Sequence, residues 1–286
     1  MKLKEKLIES SLFTCALSSV LTILLIILFI VFNGLPVILS QGPISFITGT
    51  VWNPSYNIFG IFPMIVSTVL VTILALILGM PLGIGCAVLI SEVAPSWVRN
   101  LLRPAIETLA AIPSVVYGLF GLVIIVPFIL NTFGGPGMSL LACGIVLAIM
   151  ILPTIISISE DAVRAVPREY REGSLALGAT KWQVIYGIVV PSAWSGIIAG
   201  AILGMGRAIG ETMAVLMVGG NQNAIPDSIL SPVEPLTAVI ALEWGYASGS
   251  HQAALFAVGI ILLMIIMLLN LTVYLVSRGR QAGAKV

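Results

Sequence analysis

Long stretches without a single charge alternate with short stretches that hold nearly all of the charges. Residues 10–33 are charge-free after the opening "MKLKEKLIE", and a second such run covers 58–91. A third covers 108–159, interrupted at 131–137 by "NTFGGPG", a Gly/Pro/Asn cluster that reads as a turn. Two further apolar runs cover 191–219 and 252–277. A helix needs about 18–20 apolar residues to cross a bilayer, and these runs reach that length. The pattern predicts six helices, over about 10–33, 60–90, 108–130, 138–158, 191–219 and 252–277. The first run is too long for a signal-peptide core and no small-residue cleavage site follows it, so it is expected to be retained.

Charge placement tests the helix count. Lys2, Lys4 and Lys6 precede helix one, and Arg99 and Arg103 lie between helices two and three. Arg164, Arg168, Arg171 and Lys181 lie between four and five, and Arg278, Arg280 and Lys285 follow six. These are 12 of the 13 basic residues, and six spans put them all on one side. The opposite loops, 34–57, 131–137 and 220–251, hold only Asp227, Glu234 and Glu243. By the positive-inside rule the basic side, with both termini, is cytoplasmic. Composition agrees: 59% of the 286 residues are apolar and 9% charged, against about 45–50% and 25% in soluble domains. Residues 1–286 therefore read as one membrane domain, in the cell membrane, with no basic face for nucleic acid. Cys15, Cys86 and Cys143 lie in apolar runs without a CxxC partner and read as small fillers.

The thirteenth basic residue sits inside the fifth run. "GRAIGETMAV" places Arg207 and Glu211 four residues apart among apolar neighbours. An Arg at a helix centre costs roughly 2.5–3.5 kcal/mol on insertion scales, while each apolar residue returns only about 0.3–0.6. At about 100° per residue, Gly196, Gly200, Gly204, Arg207, Gly210 and Glu211 share one arc of roughly 120°. The glycines would let another helix approach closely, and the two charges would look into that contact or into a pathway. A static ion pair is the other reading. It puts Arg before Glu, the poorer order, and apolar residues could replace it without loss of stability. Buried membrane charges mark pathways by default, which favours a translocation role for Arg207 and Glu211.

Between helices four and five lies "SEDAVRAVPREYREGSLALGATKWQVIYGIVVP", 159–191. Pro167 suits a first helical turn, 168–177 a short helix, and Gly178 its stop. Thr180 with Gln183 is a capping box for a second helix. The result is two short helices at a glycine elbow. It exposes Leu175, Ala176, Leu177 and Ala179, flanked by Arg171, Glu172 and Lys181. Such a face can dock in a partner's groove; a connector lying on the bilayer is the alternative.

"EGSLALGATKWQVIYGIVVP" resembles the EAA motif of ABC importer permeases. Glu172 and Gly178 match the motif's Glu and Gly, Gly173 and Ser174 replace its two alanines, and Pro191 closes it. "IETLAAIPSVVYGLFGL" (106–122) and "GRAIGETMAVLMVGGN" (206–221) resemble phosphate permeases of the PstC type. The resemblance implies an all-α, six-helix type I importer permease fold. It also implies a PstA-like second permease, two PstB-like ATPase subunits and an extracytoplasmic PstS-like phosphate-binding protein. It assigns ATPase coupling to Arg171, Glu172, Ala176, Leu177, Gly178 and Ala179, and matches the Arg and Glu of its motif to Arg207 and Glu211. The chain has no P-loop. ATP and magnesium are therefore expected on the ATPase subunits, with no cofactor, metal or catalytic residue here. Another oxyanion, such as sulfate or molybdate, and an ion-coupled secondary transporter are the competing readings.

Four other features carry bland expectations. Glu107 would begin helix three, where negative charge is favourable. Pro113 and Pro127 would bend that helix, and Pro63 and Pro81 helix two. His251 would be exposed at the outer start of helix six. Asp227, Glu234 and Glu243 would be solvated.

Overall fold

A computed structural model describes residues 2–283, with side chains over 8–272 and at Tyr274. Lys2, Lys4, Lys6, Arg278, Arg280 and Lys285 lie outside the side chains so described. Six helical stretches are long and apolar enough to cross a membrane: Ile8–Gln41, Phe62–Val93, Ser114–Phe133, Leu140–Arg164, Lys181–Gly210 and Ser250–Thr272.

The chain opens with α1 (Lys2–Gln41), whose outer surface of Leu, Ile and Phe side chains faces away from the protein. A short helix α2 (Pro43–Thr48) and a two-stranded hairpin, β1 (Trp52–Asn53) with β2 (Ile58–Phe59), lead into α3 (Phe62–Val88). Pro63 lies in the first turn of α3, where its missing N–H costs nothing, rather than at a bend. Pro81 is inside α3. A wider π-helical turn, Leu89–Val93, ends the second span.

The third run divides differently from the expectation. Residues Ser96–Ala111 form a separate amphipathic helix, α4, that buries no side chain. Ile112 and Pro113 are extended, and the third span starts only at α5 (Ser114–Phe120), continuing through a π-helical turn into α6 (Val126–Phe133). Pro113 caps α5 instead of bending it, because a proline disfavours helix in the residue before it. Pro127 sits in the first turn of α6. Glu107 accordingly lies late in α4, not at a helix start.

α7 (Leu140–Arg164) is the most deeply buried span. Ser139 caps its start, accepting from the Ala142 N–H at 3.2 Å. The next elements are α8 (Arg168–Ala176), α9 (Lys181–Val184), a third π-helical turn at Ile185–Val189, and α10 (Val190–Gly210). The helix expected over 191–219 breaks here: Glu211 is extended, and α11 (Met213–Val218) starts anew. The loop expected over 220–251 contains α12 (Leu236–Glu243), whose first four residues are buried. It is pinned inward, with the Leu236 N–H donating to Thr68 Oγ1 at 3.0 Å. The last element is α13 (Ser250–Gly283).

The core forms where α3 and α10 press against α7. A Cβ on Gly83 would lie 2.7 Å from Ile155 Cγ2, and one on Gly204 2.9 Å from Ile155 Cγ1. A Cβ on Gly196 would collide with that of Ala162, and Gly200 faces Ile158 and Ser159. Gly210 and Gly206 meet nothing within 4 Å. Gly210 therefore leaves the packing stripe, because the helix ends there. Gly204→Leu forces side chain into α7 and is expected to cost about 1–3 kcal/mol. Gly206→Ala, into open space within the helix, is expected to gain about 0.5–1. Unfolding of both variants in detergent against the wild type checks the pair.

Candidate functional site

The break in span five and the late start of span three lie together. α11 packs against α5, and a Cβ on Gly118 would come 2.9 Å from Ala214 Cα. Broken backbone at membrane depth persists only where protein or a water-lined cavity satisfies its polar groups. Here Glu211 supplies part of that satisfaction: its Oε1 accepts from the Ala214 N–H at 3.1 Å, capping α11. The Thr237 hydroxyl from α12 donates to the Glu211 carbonyl at 2.9 Å.

Arg207 lies in the last turn of α10 and is half-buried. A cation in a last turn is favoured by the helix dipole. No ion pair joins it to Glu211 among the described residues, because the helical register that would align them ends at Gly210. No hydrogen bond from its guanidinium is recorded among those residues either. Tyr117, on the third span, lies within electrostatic reach of Arg207. The Tyr117 hydroxyl donates to the Leu109 carbonyl at 2.7 Å, tying α5 to the end of α4. Tyr117 was not singled out from the sequence; a lone phenol in an apolar run gave no periodic signal. Residues 107–111 beside it are exposed, as are Val115 and Val116.

At the basic end, α8 stops at Leu177, and Gly178 takes φ 87, a left-handed conformation open to glycine. The Thr180 and Gln183 side chains cap α9 reciprocally. Leu177 is 91% exposed, and Glu172, Ala176 and Gly178 are exposed with it; Ala179 is half-buried. Arg171 departs from this surface. It turns inward, because Glu92 and the open carbonyls at the end of α7 offer it partners. A second buried carboxylate, Glu160 of α7, holds Arg103 of α4 at 2.9 Å and Arg164 at 3.1 Å.

The opposite end holds a compact polar cluster. His251 is not exposed: its Nε2 lies 2.6 Å from Glu243 Oε2, which also accepts from Trp52 Nε1 at 2.9 Å. Glu234 is buried rather than solvated. Burial, and then the nearby Glu243 charge, raise its pKa from 4.5 to about 7. Both groups were misjudged for one reason: the loop carrying them folds back through α12 into the core.

These features define a class before they define a family: a multi-pass membrane protein with π-helical turns in its spans, a guanidinium near the end of the fifth span without an ion pair among the described residues, and an exposed helical elbow. Comparison with known proteins specifies the class. The chain belongs to the family of binding-protein-dependent transport system inner membrane components, whose pattern matches residues 79–281. A probable ABC transporter permease protein, YqgH of Bacillus subtilis (strain 168), is 43% identical over 274 residues, 93% of this chain and 89% of its own length. The phosphate transport system permease protein PstC of Pasteurella multocida (strain Pm70) is 39% identical over 241 residues, covering 77% and 75%. PstC of Xylella fastidiosa (strain Temecula1 / ATCC 700964) is 38% identical over 242 residues, covering 78% and 75%. Among solved structures, a chain of a bacterial ABC transporter that imports alginate superposes with TM-score 0.67 at 16% identity, over 97% of this chain and 99% of that one. A MetNI methionine transporter chain, inward-facing, gives 0.58 at 19%, over 77% and 94%. These two likenesses carry the fold.

The raised Glu234 pKa has a stability consequence. Between pH 4.5 and about 7 the folded chain holds a proton at Glu234 that the unfolded chain has released. Stability from this group is therefore full below 4.5 and falls as pH rises towards 7. Glu234→Gln should flatten the decline of the melting temperature between pH 5 and 7.5, measured in detergent beside the wild type. An unchanged slope contradicts the assignment.

Proposed function

We propose that this chain is the transmembrane permease subunit of an ATP-driven importer of inorganic phosphate. The observation that carries the reading is Arg207: a cation in the last turn of the fifth span, without an ion pair among the described residues, in a chain similar to PstC permeases over three quarters of its length. Phosphate crossing the bilayer loses water and needs charged donors in exchange. A guanidinium supplies charge-assisted hydrogen bonds to phosphate oxygens, shorter and stronger than neutral ones. A single Arg, in place of a cluster, binds firmly enough to admit the anion and weakly enough to release it.

Glu211 serves this site indirectly. By capping α11 it stabilises the break that ends α10 just past Arg207. It also leaves the guanidinium free, where a four-residue helical pair would have neutralised it. The site is completed by a second, PstA-like permease, whose spans cover the exposed stretch around residues 107–116. The basic end faces the cytoplasm, with both termini, as the positive-inside rule requires. There the elbow around Leu177 and Gly178 engages PstB-like ATPase subunits, which bind ATP and magnesium and do the hydrolysis. A PstS-like binding protein delivers phosphate to the opposite end. This chain itself catalyses no reaction.

Arg207→Gln is expected to cut uptake of labelled phosphate by roughly tenfold or more, the equivalent of one charge-assisted hydrogen bond. Assembly of the complex should be unaffected. Uptake is read in ATP-loaded membrane vesicles, with and without an uncoupler. Near-normal uptake by the variant contradicts the role of Arg207; wild-type uptake that ignores ATP and stops with the uncoupler contradicts the ATP-driven reading.

A further inference from the structure

α8 is held to the rest of the protein in an unusual way. It buries no residue of its own. Beside its contacts with α9 and the π-helical turn at Ile185–Val189, it is anchored by Arg171, whose guanidinium reaches two other elements at once. Nη2 lies 2.7 Å from Glu92 Oε1 and Nε 3.2 Å from the same oxygen. Nη2 also donates to the Val163 carbonyl at 2.8 Å, and Nη1 to the Val166 carbonyl at 2.5 Å. Glu92 belongs to the π-helical turn that ends span two, and Val163 to the last turn of α7, span four. The pair is largely shielded, with side chains 19% and 13% exposed.

We infer that Arg171 is the positioning residue that transmits movement of α8 to spans two and four together. The inference rests on the reading of α8 as the ATPase-coupling element. The ATPase-facing surface of α8 carries no packing that could convey a push or pull. Beside the flanking chain and the contacts of α8 with α9 and with the π-helical turn at Ile185–Val189, Arg171 is the side-chain route from α8 to span two. Glu92 is itself fixed: Arg99 Nε donates to the Ile90 carbonyl at 2.9 Å, bracing the turn that carries it. A planar guanidinium can serve a carboxylate and two carbonyls simultaneously. A lysine ammonium, a point charge on a flexible stem, keeps the charge without that fork. The spans so gripped are the ones that pack against each other at the core, so both would move as one unit with α8.

The test uses the complete transporter, with its second permease, ATPase and binding protein, in proteoliposomes, and reads phosphate imported per ATP hydrolysed. Arg171→Gln should leave ATP hydrolysis close to wild type and lower the ratio roughly tenfold, within the 5–150-fold span of typical couplings between sites. Arg171→Lys should fall between the two. A wild-type ratio in both variants overturns the inference while leaving the wild type's own ATP-driven import, and hence the role of α8, intact. A cysteine pair decides the matter if loss of Arg171 prevents assembly. Glu92→Cys with Arg171→Cys, in a background with Cys15, Cys86 and Cys143 replaced by Ser, is bridged by a short bifunctional thiol reagent. Bridging, verified by mass, should restore the ratio; a bridged complex that still hydrolyses ATP without import overturns the inference.

Discussion

The close approach of α10 and α3 to α7 is the constraint on which the rest depends. Lipid offers no hydrophobic drive for helices to associate, so packing must come from backbones brought near one another. Gly83, Gly196 and Gly204 leave no room for a Cβ against α7. These contacts fix the rotation of α10, whose last turn carries the half-buried Arg207. Because they fix α7, its C-terminal carbonyls stand where Arg171 can reach them. Arg171 and the last turn of α10 that carries Arg207 are thus both placed by packing against α7.

Three irregular stretches of backbone are each satisfied by side chains. The gap between α10 and α11 is closed by the Glu211 carboxylate and the Thr237 hydroxyl. The start of α5 is tied back through Tyr117. The π-helical turn at Leu89–Val93 is braced by Arg99 and presents Glu92. Charge at these breaks therefore does local structural work, whereas Arg207 forms no ion pair among the described residues.

What was legible in the sequence follows from period and range. Six spans, the glycine face over 196–204, the elbow at Gly178 and the capping box at Thr180 are all local signals, set by residues within a turn or two of each other. What was not legible required knowing a partner distant in sequence. Hydropathy alone could not see that "GET" at 210–212 interrupts a span, because apolar residues continue on both sides. It could not separate α4 from α5, although the proline at 113 marked the place. The inward turn of Arg171 depends on Glu92, 79 residues earlier. The burial of Glu234 and His251 depends on a loop that packs back onto Thr68 and Trp52. Arg207 stood out in the sequence because a charge in an apolar run is costly wherever it sits. The helical face it was expected to share with Gly210 and Glu211 was misplaced because helical geometry was extended past the end of the helix.

The central claim is that position 207 meets water and anions within the assembled transporter. It is tested most directly by thiol accessibility in a background without native cysteines. Arg207→Cys should react with a charged, membrane-impermeant thiol reagent in the complete complex, while Leu24→Cys, on the lipid-facing surface of α1, should not. An Arg207→Cys thiol as inert as the Leu24→Cys control, in the resting complex and during ATP turnover alike, would contradict the account.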